Sequence, residues 1–530
     1  MRSTDRGSSH SLTDRPALLT DALHAAARNT RGSGRLLCGD GSASYAELEL
    51  LSNRLAARLL HYGIRPADRI IIGLPNSAEF FIACFAAWKI RAIAVPVDPT
   101  IRPVNLQQII EATVPRVLVA DENFAARVLK LDCVSCFRAL FLRDYDPGSL
   151  SPTHLPAESL AELFCSDDEL PELLSGARPD DVVTINFTSG STGTPKGVMH
   201  THRSCIACAA YTRDFLHLSS SDLTSIPLPF HHVLAFRRVL TCILANSSVA
   251  VSSDIFAAMR MIPRLRPSGL VLVPAACNIM IEKFGKFLRG HPGILRYLEI
   301  GSEPVSPERL EALHDLLPGT KIHLTYGLTE GRVGYLHPSA SGRLNRLPGS
   351  NHGLEIRVVD AAGKPVPPGD TGEILLQGEG LFCGYWGESL SARDRIAVSG
   401  FRTGDMGRPD SEGNVELLGR VDDILKIGGR KINPREIEKV VNAHPAVSES
   451  FIVGIPDPKG VLEMQLHAYV VLKPRASLNH VELEAFCSRR LEPFKIPARF
   501  HYRNSFPKTA LGKIQRHQIV QRALGQPSAD

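Results

Sequence analysis

Between Thr184 and Val198 the chain reads Thr-Ile-Asn-Phe-Thr-Ser-Gly-Ser-Thr-Gly-Thr-Pro-Lys-Gly-Val, an apolar stretch that runs into hydroxyls and glycines and then one lysine. Val182, Val183, Ile185 and Phe187 predict a buried strand that empties into this loop. Glycine lets backbone come close to an anion with its N–H groups turned inward, the Thr and Ser hydroxyls add donors, and Lys196 brings a mobile positive charge. The chemistry is the handling of phosphate. A Walker loop is disfavoured, because counting from Gly190 its last glycine is replaced by Pro195, and Gly197 stands where Ser or Thr should follow the lysine. Considered alone, a flexible Gly/Ser turn without a ligand would also fit.

The stretch resembles, nearly residue for residue, the signature of the adenylate-forming (AMP-binding) superfamily of acyl-CoA synthetases, peptide-synthetase adenylation domains and luciferases. Five separated motifs occur in that family's order over residues 44–516. The resemblance implies an ATP site built from Thr188, Ser189, Gly190, Ser191, Thr192, Gly193 and Lys196 for the phosphates, and from an adenine turn at Gly301, Ser302, Glu303 and Pro304. In the second strong motif, around Tyr326 and Gly327, Tyr326 offers an aromatic face to adenine, Thr329 a hydroxyl to the α-phosphate and Glu330 a hard oxygen ligand to Mg2+. Glu330 at a strand end is expected to be buried, a costly place for a carboxylate that is neither paired nor metal-bound. Asp405 would accept hydrogen bonds from both ribose hydroxyls, and Arg420 would contact ribose or phosphate. Asp422 matches the hinge, and Gly428 and Gly429 would leave room for a pantetheine arm. Lys513 matches the catalytic lysine, which would join Lys196, Glu330, Thr188 and His231 in the catalytic set.

By the same resemblance the acyl pocket is lined by His231, His232, Phe236, Gly301, Gly327 and Arg332. The aspartate that peptide-synthetase domains carry near this point is missing from Phe230-His231-His232-Val233-Leu234, so an α-amino acid substrate is not expected. The implied reaction is activation of a carboxylic acid by MgATP to an acyl-adenylate, followed by transfer to the thiol of coenzyme A. Alternatives that keep the first step are an amide synthetase using an amine and a ligase using a carrier-protein thiol. A non-catalytic nucleotide-binding relative is a third reading, opposed by Lys196, Glu330, Asp405 and Lys513 all being present.

The elements that must position these groups read as alternating strands and helices. Ser44 and Glu47 form a capping-box pattern before Leu51, Leu55 and Leu59 at helical spacing. Short apolar runs at residues 69–74, 92–97 and 116–121 are separated by helical patterns, and residues 200–215 read as a helix after the phosphate loop. This alternation predicts an α/β fold with parallel sheets covered on both sides. Alternating runs from Gly353 to Gly378 predict a smaller β region, and the segment after Arg420 a small, mobile C-terminal α+β domain. The expected division is residues 1–15 disordered, 16–421 a large domain and 422–530 a small hinge-linked one.

Composition is ordinary for a globular enzyme. The 530 residues carry 60 basic and 55 acidic side chains without a concentrated basic stripe, which gives no support for nucleic-acid binding. The most apolar stretch, residues 80–97, is interrupted by Lys89 and Arg91 and closed by prolines, so no transmembrane segment is expected. Eleven cysteines fit reduced thiols in a cytoplasm. Cys133/Cys136 and Cys205/Cys208 have zinc-like spacing, but their apolar surroundings favour buried free thiols.

Overall fold

The computed structural model describes residues 15–29, 34–39, 41–146, 154–166, 176–189, 195–302, 305, 307–338, 344–351, 353–388, 396, 398–420, 425–427, 430–432, 434–456, 464–508, 514 and 519. They pack as two compact units, the first made of residues 1–344, 350–356 and 376–401, the second of 345–349, 357–375 and 402–530. Residues 422–530, expected as a domain of their own, are thus grouped with the β segments 357–375 and 402–421. The architecture is mixed α/β, with parallel sheets in the N-terminal part and a smaller C-terminal domain.

The first unit holds two eight-stranded sheets. One runs in the order Gly384–Tyr385, Pro195–Thr201, Val182–Ser189, Ile93–Pro96, Arg69–Gly73, Val117–Asp121, Ala139–Arg143, Ala157–Ser159. It is parallel from Val182–Ser189 outward, and antiparallel only where Pro195–Thr201 folds back and Gly384–Tyr385 joins it. The other runs Gly331–Tyr335, Lys321–Leu328, Tyr297–Ile300, Gly269–Leu272, Leu223–Ile226, Ser248–Val251, Arg35–Cys38, Gly41–Ser44, parallel except at its two edge pairs.

Strands buried on both faces need helices on both faces, and the sequence supplies their stops and starts. Ser44 caps the helix Tyr45–His61 by accepting from Glu47 N–H, with Glu47 returning to Ser44 N–H at 2.7 Å. Thr201 caps His202–Leu216 in the same way. That helix begins two residues later than the pattern suggested, because His200 and Thr201 extend the preceding strand. The main core gathers Phe80, Phe81, Phe85, Trp88, Phe230 and Phe236 between the sheets. Cys205 and Cys208 are buried in the helix His202–Leu216, whereas Cys133 precedes and Cys136 ends a single 3-10 turn, and both are half-buried, not core thiols. Among the described residues no cluster of His, Cys, Asp or Glu is arranged to hold a metal, and no helix is long and apolar enough to cross a membrane.

In the second unit the strand Phe401–Pro409 pairs antiparallel with Val415–Arg420. The C-terminal part has a three-stranded sheet, Val447–Pro456, Met464–Leu472 and Arg499–Arg503, with helices Pro434–Asn442 and His480–Ser488. Ile437, Val441, Ile452, Ala468, Val470 and Leu483 form its core.

Candidate active site

The phosphate-type loop connects two hydrogen-bonded strands, so its flanks are fixed as a pair: Thr188 lies opposite Lys196 and Ser189 opposite Pro195. Gly197 has to be glycine, since a Cβ there would lie 2.8 Å from Ile185, 3.0 Å from Phe187 and 3.1 Å from Trp386. Lys196 is exposed, and its ammonium stands 5.7 Å from the centre of the Tyr385 ring. Tyr385 pairs with Val198 on the strand that follows the loop, and Trp386 N–H donates to Gly197 carbonyl at 2.7 Å. The Tyr385 hydroxyl donates to Glu330 Oε1 at 2.7 Å. Lys196, Tyr385 and Glu330 therefore form one group, a cation and a carboxylate on either side of a phenol.

Glu330 sits in the turn between the strands Lys321–Leu328 and Gly331–Tyr335 and is half-buried, more open than expected for a strand-end carboxylate. The turn is held from behind by two groups that sequence reasoning missed. Arg237, 6% exposed, donates to the Thr329 carbonyl at 2.8 Å and to the Leu328 carbonyl at 3.2 Å. His200 Nε2 lies 2.9 Å from the same Thr329 oxygen and 3.2 Å from Arg237 Nη2. Burial, reinforced by the Arg237 charge, holds the His200 pKa well below the usual imidazole range. Nothing marks either residue in the sequence, where His200 reads as a helix start.

Tyr326 is half-buried and Gly327 exposed, at a register shift in the edge pair. The expected adenine turn differs in detail. Gly301 is no open platform: a Cβ would stand 2.6 Å from Thr325 Oγ1 and 3.2 Å from Leu234 Cδ2, so its missing side chain is used for packing. Ser302 follows in the left-handed region at φ 82° and is exposed, a conformation that a non-glycine residue adopts at a cost.

His231 Nε2 lies 3.7 Å from Asp98 Oδ2, and Asp98 Oδ1 accepts from Thr100 N–H at 2.7 Å and from its hydroxyl at 2.8 Å. His232 packs on His231 with ring centres 4.5 Å apart. Burial lowers the His231 pKa against the opposing pull of Asp98; burial, then the neighbouring His231, takes His232 down to about 4. Asn76, also missed, fixes this loop by accepting from Phe230 N–H at 2.8 Å and donating to the Leu228 carbonyl at 2.9 Å. Phe236 is not placed as a pocket wall: it is 1% exposed and stacks on Phe81 at 5.5 Å within the aromatic core. The side chain at that face of its helix is Leu234, over Gly301.

In the second unit Asp405 lies opposite Arg420 across the antiparallel pair. Arg420 Nη1 donates to the Thr403 carbonyl at 2.9 Å and to Asp405 Oδ1 at 3.4 Å, and Asp405, 9% exposed, has its N–H on Thr403 Oγ1 at 3.0 Å. The two residues picked out separately in the sequence are thus brought together. Gly190, Ser191, Thr192, Gly193, Glu303, Pro304, Asp422, Gly428, Gly429 and Lys513 lie outside the described residues, as do the side chains of Ser189 and Arg332.

A family model described as AMP-binding enzyme matches residues 23–386, and one described as AMP-binding enzyme C-terminal domain matches 436–513. The chain is 28% identical over 519 residues to a fatty acid:acyl-carrier-protein ligase, ScoC, of Streptomyces coeruleorubidus, covering 96% of each protein. It is 28% identical over 508 residues to an oxalate:CoA ligase of Arabidopsis thaliana, covering 92% of this chain and 95% of that one. Among solved structures it resembles the o-succinylbenzoate CoA synthetase of Bacillus subtilis in complex with its acyl-adenylate intermediate, with a TM-score of 0.79, 25% identity and coverage of 94% and 97%. ATP-bound MatB of Rhodopseudomonas palustris, 22% identical with a TM-score of 0.81 over 96% and 98% of the chains, shares the fold.

Proposed function

We propose, because the chain belongs to the AMP-binding enzyme family of adenylate-forming enzymes, that it is an AMP-forming acid–thiol ligase that joins a carboxylic acid to coenzyme A through an acyl-adenylate. The observation that carries the reading is the grouping of Lys196, Tyr385 and Glu330 at the end of a phosphate-type loop. Attack of a carboxylate on the α-phosphorus of ATP brings anions together, and a positive group on the phosphates lowers that repulsion in the transition state. Lys196 is the described cation suited to this, exposed near the start of a paired strand; Lys513 is proposed as its partner from the C-terminal segment. Thr188 and Thr329 supply hydroxyls to phosphate oxygens, and Tyr326 a face for the purine.

The donor set fits Mg2+: one carboxylate, Glu330, with Tyr385 holding one of its oxygens, suits an ion that takes its other ligands from phosphate and water. Bound there, the ion would neutralise charge on the phosphates. Asp405 is proposed to accept from the ribose hydroxyls, with Arg420 keeping it oriented. His231 and His232, neutral near pH 7, would form a polar but uncharged wall beside the reacting carboxylate. Asp422 is proposed as the hinge of a domain movement that exchanges Lys513 for the Gly428-Gly429 passage.

A second reading, transfer to a carrier-protein thiol, is favoured by the likeness over 96% of the chain to a relative named as a carrier-protein ligase. Acid-dependent exchange of labelled pyrophosphate into ATP tests the first step. Product analysis with coenzyme A and with a phosphopantetheinylated carrier protein tests the second, and failure of both thiols to be acylated would refute the ligase reading.

A further inference from the structure

The strand Tyr297–Ile300 alternates its side chains between two environments. Leu298 and Ile300 join Leu270, Leu272 and Leu313 in an apolar cluster on one face. Glu299 and, two residues on, Gly301 face the other side, toward the helix Val233–Leu244. There Leu234 lies over Gly301, and one turn further along the helix Arg238 forms an ion pair with Glu299. Arg238 is 1% exposed and Glu299 0%.

The surroundings are polar for so deep a place. The Tyr335 hydroxyl lies 3.4 Å from Glu299 Oε2 and 3.5 Å from Arg238 Nη2, and its ring is fixed by stacking on Phe215 at 3.7 Å. Yet Arg238 Nε and Nη1, both fully buried, have no hydrogen-bond partner among the described residues. Buried N–H groups on a charged side chain are costly when unmade, and an apolar pair of similar volume would fill the same space without that cost. Donors of this kind call for a partner, and a water or an oxygen of a bound ligand can supply it.

We propose that these groups form a polar end to the acyl pocket, and that the acid activated here carries an uncharged hydrogen-bond acceptor, a keto, ether or hydroxyl oxygen, distant from its carboxyl group. The inference rests on the acid-activating function proposed above and names the class of acid. Arg238 lies about 6 Å beyond Leu234 along the helix, and Glu299 about 7 Å from Gly301 along the strand, which sets the depth of the acceptor. An uncharged oxygen is favoured over a second carboxylate because Glu299 already neutralises Arg238 and would repel another anion. A plain alkyl end would leave the two N–H groups unmade.

The test compares kcat/KM for acid-dependent AMP formation with three sets of linear acids of matched length: alkyl acids, acids with a keto group near the far end, and dicarboxylic acids. The proposal predicts at least a tenfold preference for the keto set over the alkyl set. Tyr335→Phe, which removes one hydroxyl only, is expected to reduce that ratio several-fold. Arg238→Met/Glu299→Leu, which removes the whole pair, is expected to abolish or invert it while alkyl acids are still activated. Alkyl and keto acids used within twofold of each other by the wild-type enzyme would overturn the inference and leave the ligase function standing. Preference for dicarboxylic acids would overturn the uncharged acceptor. No AMP from any acid would overturn both readings, and the wild-type panel decides even if the double variant does not fold.

Discussion

The Tyr385 hydroxyl donates to Glu330 Oε1 at 2.7 Å, joining the turn that carries the carboxylate to the strand beside the phosphate-type loop. A phenol in this position restrains one carboxylate oxygen and leaves the other for a cation. Glu330→Gln is expected to reduce kcat for AMP formation by about 100-fold and to raise the Mg2+ concentration needed for half-activity. Tyr385→Phe should cost about three- to tenfold, and the double variant less than the product of the two, because both act through one group. Strict multiplicativity in steady-state rates would separate them.

Lys196 is exposed, so its replacement should spare the fold. Lys196→Ala is expected to lower kcat/KM for ATP about 100-fold with the thermal midpoint unchanged, and Lys196→Arg to recover part of it. Unaltered kinetics in the Ala variant would remove the lysine from the phosphate site.

Arg237 touches the Leu328 and Thr329 carbonyls that lead into the turn carrying Glu330 and is proposed to position it. Arg237→Gln should therefore lower kcat more than it raises KM for the acid, and should weaken Mg2+ activation as Glu330→Gln does. Arg237→Lys should restore part of the loss. A stability change with kcat untouched would make Arg237 purely structural.

Gly404 is left-handed at φ +72°, and a Cβ there would come within 2.8 Å of the Arg420 guanidinium. Moving that side chain breaks its bonds to Thr403 and Asp405. Gly404→Ala is expected to destabilise the protein by about 1–3 kcal/mol in denaturant titration and to raise KM for ATP. Asp405→Asn should raise KM for ATP with a much smaller stability change.

His202 Nδ1 accepts from Leu19 N–H at 3.0 Å, and burial lowers its pKa from 6.5 to about 4. The unfolded chain binds this proton first as pH falls, so the stability from the neutral imidazole is complete above pH 6.5 and is lost on descending toward about 4. His202→Asn keeps an acceptor without a titrating group, and is expected to reduce the drop in thermal midpoint between pH 7 and pH 5. An unchanged drop would mean that His202 does not contribute.

Local signals with one physical cause were readable in the sequence. The Ser44–Glu47 cap and the strand before the phosphate-type loop are both met in the structure. What escaped depends on contacts distant in the chain: Arg237 lies 92 residues from the carbonyl it holds and Asn76 lies 154 from the loop it fixes. Phe236, two positions from Leu234 on its helix, points to a different face, here into the cluster with Phe80 and Phe81, which the local sequence does not disclose. Gly301 is packed by Thr325 and Leu234, partners distant in the chain that only the fold supplies.

The central claim, that this chain joins carboxylic acids to AMP, is tested most directly by exchange of labelled pyrophosphate into ATP across a broad panel of acids. The account predicts exchange that requires both an acid and Mg2+ and that falls by about 100-fold in Glu330→Gln. Exchange absent with every acid, in a folded protein that binds ATP, would contradict it.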